Sequence, residues 1–312
     1  MQNRPNLIGF GSVAVDDLLY IPFYPAPDSK IQVEDHLRLG GGLAGTALVA
    51  AARLGANPAY FGVLGNNDLS AFTIRSFHDE GVQTSLCMME DEARPLHSSI
   101  LVDRSSGGRT ILFSVENFKV PSPQNVTAET FEGCKMIFID TFAAPIFSHV
   151  CNLAQRLQIP ILADIEDIAI QSQQQALDAV DYLIFNKALA QIMTGEDEPD
   201  RILHALETPA RIATVITAGA NGCWFKENKQ KSYYLPAYPV QSVDTTGCGD
   251  VFHGAFASAI LRNCTVTNAV MQASAAAAVK ATRPGGRAGI PDLKQLQQFM
   301  AENPHIQPEE LS

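Results

Sequence analysis

Apolar and polar residues in this chain follow two rhythms. From residue 136 onward, short apolar runs at 136–140, 161–164, 182–185 and 213–217 are separated by segments with apolar positions at helical spacing, 146–157, 174–179 and 200–206. Such alternation predicts a largely parallel sheet covered by helices on both faces. A hairpin over 223–226 and 231–234 follows, and the C-terminal third reads as helix at 251–261, 266–281 and 292–301.

The N-terminal half opens with a buried strand over 7–16. Residues 18–27 are β-rich and then broken by Pro22, Pro25 and Pro27, while 31–39 alternate as a half-exposed strand. Gly40, Gly41 and Gly42 lead into an Ala-rich helix at 43–54 ended by Gly55; a strand at 60–64 and a helix at 69–80 closed by Gly81 come next. Runs at 98–103 and 109–114 flank a turn at 104–108 and predict a hairpin. The strands within 12–40 and 98–114 do not suit the parallel sheet and are expected to form a small β lid. With no repeat, low-complexity tract or linker, residues 1–312 are expected to be one domain with that lid.

The segment Gly9-Phe-Gly11-Ser-Val-Ala14 nearly matches a dinucleotide fingerprint, but that fingerprint needs a helix after its glycines, and proline-broken strand follows here. A net charge of −11 without any basic cluster argues against nucleic acid as a partner. No apolar run approaches the roughly 20 residues that span a bilayer, and no signal-peptide pattern is present, so no membrane role is expected. Cys87, Cys134, Cys151, Cys223, Cys248 and Cys264 are scattered, which predicts free thiols in a reducing cytoplasm rather than disulfides or a zinc site.

The chemistry concentrates in Asp244-Thr-Thr-Gly-Cys-Gly-Asp250-Val-Phe-His-Gly-Ala-Phe256, a glycine-rich turn running into a helix. The amides of Gly247, Cys248 and Gly249 would point, with the positive end of the helix, at an arriving anion. A carboxylate beside such a turn repels a bound phosphate unless it does chemistry, so Asp250 reads as a base that deprotonates an attacking hydroxyl. Taken alone, the same residues also fit a structural loop with Asp250 as its N-cap.

These thirteen residues resemble the C-terminal signature of the ribokinase-type (PfkB) sugar kinase family. Gly41-Gly-Leu-Ala-Gly-Thr-Ala-Leu-Val-Ala-Ala-Ala-Arg-Leu-Gly-Ala56 resembles its N-terminal one. The resemblance implies an α/β fold, a ribokinase-like three-layer sandwich with a mostly parallel central sheet and a small β-sheet lid. It implies ATP-dependent phosphorylation of a primary hydroxyl of a small sugar, ribose or a fructose-like ketose. Asp250 would be the base and the turn Gly247, Cys248, Gly249 the anion hole, with Cys248 a small residue rather than a nucleophile.

By the same resemblance, Asp16, Gly41, Gly42, Thr46 and Asp140 would hold the sugar, and Asp164 would be a further sugar or metal contact. Asn186, Thr217, Gly219, Gly222 and Gly285 would meet the nucleotide, which brings Mg²⁺. The carbonyls of Lys280, Arg283 and Gly285, with Asp244 and Thr246, would hold a monovalent cation such as K⁺. Three departures stand out: Thr46 where the family usually has Asn, Leu189 where it has a Glu linked to magnesium, and Gly289 in place of a hydroxyl.

Lys30, Arg94 and Arg109 are candidates to meet an anionic substrate group, although solvated surface charge is the ordinary role of such residues. Lys30 and the Thr-Arg-Pro-Gly-Gly-Arg-Ala-Gly-Ile-Pro-Asp run also resemble sulfosugar-type kinases. Two further readings fit the same fold: a nucleoside kinase, with Phe10, Tyr20 and Phe113 near a base, and an inactive sugar- or nucleotide-binding protein. A β lid leaves an unpaired edge that proteins usually cover, which predicts a homodimer through the lids. Sedimentation across a wide concentration range is expected to report a dimer; a monomer throughout would contradict it.

Overall fold

The computed structural model of the chain describes residues 4–105 and 108–311. Ser106 and Gly107, inside the expected hairpin turn, lie outside the described residues. In chain order the N-terminal half holds β1 (Leu7–Phe10), β2 (Ala14–Ile21), β3 (Asp35–Gly41), α1 (Leu43–Arg53), β4 (Pro58–Tyr60), β5 (Val63–Leu64), α2 (Asp68–Asp79), β6 (Met88–Met89), β7 (Leu96–Asp103) and β8 (Arg109–Ser114). Then come β9 (Met136–Asp140), α3 (Phe147–Leu157), β10 (Ile161–Asp164), α4 (Gln174–Asp178), β11 (Tyr182–Asn186), α5 (Lys187–Thr194), α6 (Pro199–Ala205) and β12 (Ala213–Thr217). The chain closes with β13 (Cys223–Glu227), β14 (Ser232–Leu235), α7 (Cys248–Leu261), α8 (Val266–Ala281), α9 (Leu293–Glu302) and β15 (Glu309–Glu310).

Nine strands form the large sheet in the order β15-β14-β13-β12-β11-β10-β9-β1-β4. From β4 to β12 neighbours run parallel, and β13, β14 and β15 extend the sheet antiparallel. Alternate residues of one strand feed two cores, as the strand period of two requires. In β9, Met136 and Phe138 join the core that includes α1, α7 and α8, while Ile137 and Ile139 join the one that includes α3 to α6. That is why the central strands read as unbroken apolar runs.

The lid is a separate sheet, β3-β2-β7-β8, with β2 and β7 parallel at its centre and an antiparallel partner on each side. All six residues of β8 are exposed.

Three expectations need correction, and one helix is added. The strand expected over 7–16 is two pieces, with β1 in the large sheet and β2, from Ala14, in the lid. The strand expected at 60–64 is two pieces in different sheets: β4 joins the large sheet, and β5 pairs with β6. The break falls at Gly62, where a Cβ would stand 2.2 Å from the Tyr60 ring. The strand expected at 31–39 begins four residues later, because β3 is placed by the pairing of Gly41 with Ala14. Helix α5 is an addition to the expected elements; it is announced only by its ends, Asn186 as N-cap and Gly195 in the left-handed region at φ 72°.

Helices α1 and α7 pack closely because α1 offers a face of Ala44, Ala47, Ala50 and Ala51 and α7 presents Gly254. A Cβ on Gly254 would come within 2.1 Å of the Ala47 carbonyl oxygen, backbone that cannot swing away. Gly254→Ala is therefore expected to destabilise the fold by about 1–3 kcal/mol through overpacking, read as a lowered urea midpoint with an unchanged m-value.

Candidate active site

Four consecutive parallel strands end in polar residues along one edge: Asp140 on β9, Asp164 on β10, Asn186 on β11 and Thr217 on β12. Register aligns Asp164 with Asp140 and Asn186 with Thr217. This carboxyl edge is where open parallel sheets bind ligands.

At the β1–β9 end of that edge, Asp140 is fully buried. Its Oδ2 accepts from the amides of Ser12 (2.8 Å) and Ala44 (3.0 Å) and from the Ser12 hydroxyl, and its Oδ1 accepts from the Phe142 amide at 2.8 Å. Burial raises its carboxyl to about 6 despite these donors. In this structure the Asp140 oxygens face inward and clamp the turn after β1 to the start of α1. Gly11 is required beside it, since a Cβ there would sit 2.1 Å from the carboxylate carbon.

The clamp sets the first glycine turn. Gly42 is the N-cap of α1 at φ 85°, with the Ser12 carbonyl 2.6 Å from where a Cβ would stand, and a Cβ on Gly41 would be 2.4 Å from Asp16 Oδ2. Half-buried Asp16 is raised from the ordinary range by burial, opposed by a hydrogen bond from Ser98 and by the charge of Arg287. Thr46 is buried, with its hydroxyl 3.5 Å from the Arg287 guanidinium. Arg287 itself donates to the Gly41 carbonyl at 2.7 Å and lies 5.5 Å from the Phe77 ring centroid.

The second glycine turn opens α7. Gly247 is its N-cap in the left-handed region at φ 75°, which places Asp250 third in the helix and removes the N-cap role for that carboxylate. Gly249 is exposed and Asp250 half-buried, so the turn opens to solvent. Among the described residues the Asp250 carboxylate accepts no hydrogen bond. Burial raises it well above the carboxylate range and the charges of Glu166 and Asp140 add to this, while Arg287 and Lys280 favour its ionised form. Asp164 is raised by burial and by Asp250 and Glu166.

One turn along α7, His253 Nδ1 lies 2.9 Å from the Gly249 carbonyl and 3.5 Å from Asp164, and burial pushes the imidazole down to about 4, so it is neutral near pH 7. The Cys248 thiol, raised by burial, is directed at the Ala277 carbonyl, which suits a packed thiol rather than a nucleophile.

On the other side of the turn, Asp244 accepts from the amides of Thr246 (2.8 Å) and Gly285 (2.7 Å) and pairs with Arg109 at the start of β8. Burial alone would raise Asp244; Arg109 and the two amides outweigh it and hold the carboxyl well below the usual range. Arg109 also reaches the Thr246 hydroxyl, so the lid touches the anion turn directly.

Asn186 caps α5 by accepting from the Leu189 amide at 2.9 Å. Leu189 is core, which accounts for an apolar residue where the resemblance implies a Glu. Thr217 donates to the Phe185 carbonyl, and Gly219 and Gly222 both take positive φ in the turn that follows. A Cβ on Gly222 would meet the Leu235 carbonyl at 2.2 Å. Arg283 is exposed.

Some expected residues are not brought together. Lys30 is exposed in the loop joining β2 to β3, at the far end of the hairpin from Gly41. Arg94 pairs with Glu116, Phe10 is fully buried, Tyr20 stacks under Arg104, and Phe113 is exposed on the lid. Conversely, Ser12, Glu166, His253, Arg287 and the Lys280 side chain contact or electrostatically influence these residues without having been expected to. Among the described residues no group of three or more His, Cys, Asp or Glu could hold a metal ion, and no helix is long and apolar enough to cross a membrane.

Comparison with known proteins places this geometry. A family model described as pfkB family carbohydrate kinase matches residues 11–293. The chain is 25% identical to a ribokinase of Haemophilus influenzae over 310 residues, covering 95% of this chain and 99% of that one. It is 23% identical over 330 residues to fructokinase-1 of Oryza sativa, covering 96% and 99%. The structure of ribokinase from Arabidopsis thaliana, complexed with ribose and ATP, matches with a TM-score of 0.82 at 21% identity, covering 95% and 98%. The fold is therefore ribokinase-like: a large, mostly parallel sheet between helices, with a small separate sheet.

The Asp140 clamp is testable by stability. Asp140→Ala would leave buried amides without an acceptor, at an expected loss of at least about 2 kcal/mol in urea unfolding. Because the carboxyl is raised in the fold, the folded state binds its proton more tightly than the unfolded chain does. Stability should therefore fall as pH rises from about 4 to about 6, and the part of that fall due to Asp140 should vanish in the variant.

Proposed function

The chain belongs to the pfkB family of carbohydrate kinases and is an ATP-dependent sugar kinase, and from that premise we propose that it transfers the γ-phosphoryl group to a primary hydroxyl of ribose or a fructose-like ketose, with Asp250 as the general base. The observation that carries this reading is the Asp250 carboxylate, free of hydrogen-bond partners among the described residues and half-open, immediately behind the Gly247 turn.

In this reading the sugar lies between Asp16 on the lid strand β2 and the glycine turn of Gly41 and Gly42. Asp16 accepts from two of its hydroxyls, as a carboxylate can. Asp250 takes the proton from the attacking hydroxyl as its oxygen approaches phosphorus. The amides of Gly247, Cys248 and Gly249 stabilise the charge on the transferred group, aided by the positive end of α7. The raised pKa of Asp250 suits the role, because such a group accepts a proton more readily than an ordinary carboxylate.

ATP, entering as Mg·ATP, would lie along the edge formed by Asn186, Thr217 and the turn of Gly219 and Gly222, its phosphates reaching towards Gly285 and the anion turn. Closure of the lid through Arg109 would exclude water and so prevent idle hydrolysis. We also propose that a second copy covers the lid, where Ile111 (55%), Leu112 (58%) and Phe113 (68%) stand exposed on an edge strand.

Asp250→Asn is expected to lower kcat by about 10²–10⁴-fold, the usual worth of a positioned base, while binding of sugar and ATP by calorimetry changes little. Retained turnover would remove Asp250 from the mechanism. In the wild type, the acid limb of kcat/KM should lie above the ordinary carboxylate range, since the raised group must lose its proton to act.

A further inference from the structure

Behind the anion turn lies a charge that phosphoryl transfer by Asp250 leaves unused. Lys280, in the last turn of α8, has no exposed surface although its side chain ends in an ammonium, the form that burial disfavours. Its Nζ donates to the Asp244 carbonyl at 2.8 Å, and among the described residues no second acceptor meets it. Burying a charge is costly unless it is paired and hydrogen-bonded.

The neighbours are those of the anion turn. Cys248 is directed at the Ala277 carbonyl, one helical turn before Lys280, so the turn rests on this end of α8. Gly247 packs against Gly286, where a Cβ would meet the carbonyl oxygen at 3.0 Å. The ammonium favours the ionised form of Asp250 across this short span.

The family resemblance assigns these same residues to a monovalent cation, and as arranged they do not fit one. Both oxygens of Asp244 are engaged, by the Thr246 amide and Arg109 on one side and by the Gly285 amide on the other. Gly285 thus turns a donor towards the set. The Lys280 carbonyl accepts from the Arg283 amide at 3.2 Å and lies under Gly289, where a Cβ would approach it to 2.4 Å. A cationic group is already present among them, and an ammonium resembles potassium in charge and size.

We propose that Lys280 is a tethered monovalent cation: its ammonium supplies from within the chain the positive charge behind the anion turn, and the protein turns over without potassium. Lys280 touches no substrate; it is a positioning residue that holds the Asp244 backbone and sets the field at the turn. The inference rests on the sugar-kinase reading for its activity arm only.

The test compares wild type, Lys280→Ala and the better-filling Lys280→Met in choline chloride and in KCl of equal ionic strength. Two readouts are taken, sugar-dependent ADP release and the thermal midpoint. Wild type should respond to potassium in neither. Lys280→Ala should lose about tenfold or more in kcat/KM in choline, and regain it with K⁺ or NH₄⁺ but not Li⁺. Its midpoint should rise with K⁺ concentration, as a site that binds only the folded state requires.

Several-fold activation of wild type by potassium would overturn the proposal. So would folded variants that match wild type in choline and ignore the cation. Should Lys280→Ala fail to fold in either salt, Lys280→Met, which keeps the side-chain volume, must show the loss in choline. Should no sugar be turned over by wild type, the kinase reading would be at fault, while the midpoints would still decide whether Lys280 stands in for a bound cation.

Discussion

Two helices of this protein begin at the same edge of its sheet and pack against each other where Gly254 meets Ala47, and the site depends on that contact. Helix α1 starts where Asp140 at the end of β9 clamps the amides of Ser12 and Ala44. Helix α7 starts beside the end of β10, where His253 Nδ1 meets the Gly249 carbonyl and lies 3.5 Å from Asp164. Because neither helix has bulk at their crossing, the two pack closely, and each begins at a glycine N-cap, Gly42 or Gly247. A glycine turn at each start lets a ligand approach the backbone.

The site is also an electrostatic balance. Burial raises Asp140, Asp164 and Asp250; the charge of Asp140 raises the other two further, and that of Asp250 raises Asp164. Arg287 and Lys280, both buried cations from the end of α8 and the segment after it, oppose this. The result is a carboxylate, Asp250, that is open and unpaired while its neighbours are enclosed or hydrogen-bonded. A group left poised in this way is a functional candidate on physical grounds. Arg109 completes the arrangement from the lid by neutralising Asp244, so the lid and the anion turn are electrically coupled.

Much of this was legible in the chain. Unbroken apolar runs announced strands buried on both faces, Gly55 and Gly81 marked helix ends, and the Asp244–Phe256 run announced the anion turn at the start of a helix. Local signals failed where the deciding partner is remote. Asp140 reads as a strand-end carboxylate, and nothing near it says that it faces Ser12, 128 residues away. Lys280 was expected to act through its carbonyl near the end of the 266–281 helix, while in the fold its side chain packs inward and donates to the Asp244 carbonyl. Arg287 gave no signal, since its partners Gly41, Thr46 and Ser76 are more than 200 residues distant. Helix α5 was missed because it is short and its strongest signs, Asn186 and Gly195, are also loop residues.

Sugar-dependent phosphoryl transfer at this cleft is tested most directly by following ADP release from Mg·ATP against a panel of pentoses, ketohexoses and nucleosides, with the phosphorylated product identified by ³¹P NMR. Turnover should depend on one pentose or ketose and yield a phosphomonoester of its primary hydroxyl in step with ADP. ATP that binds but is never transferred to any sugar, or transfer only to nucleosides, would contradict the sugar-kinase mechanism.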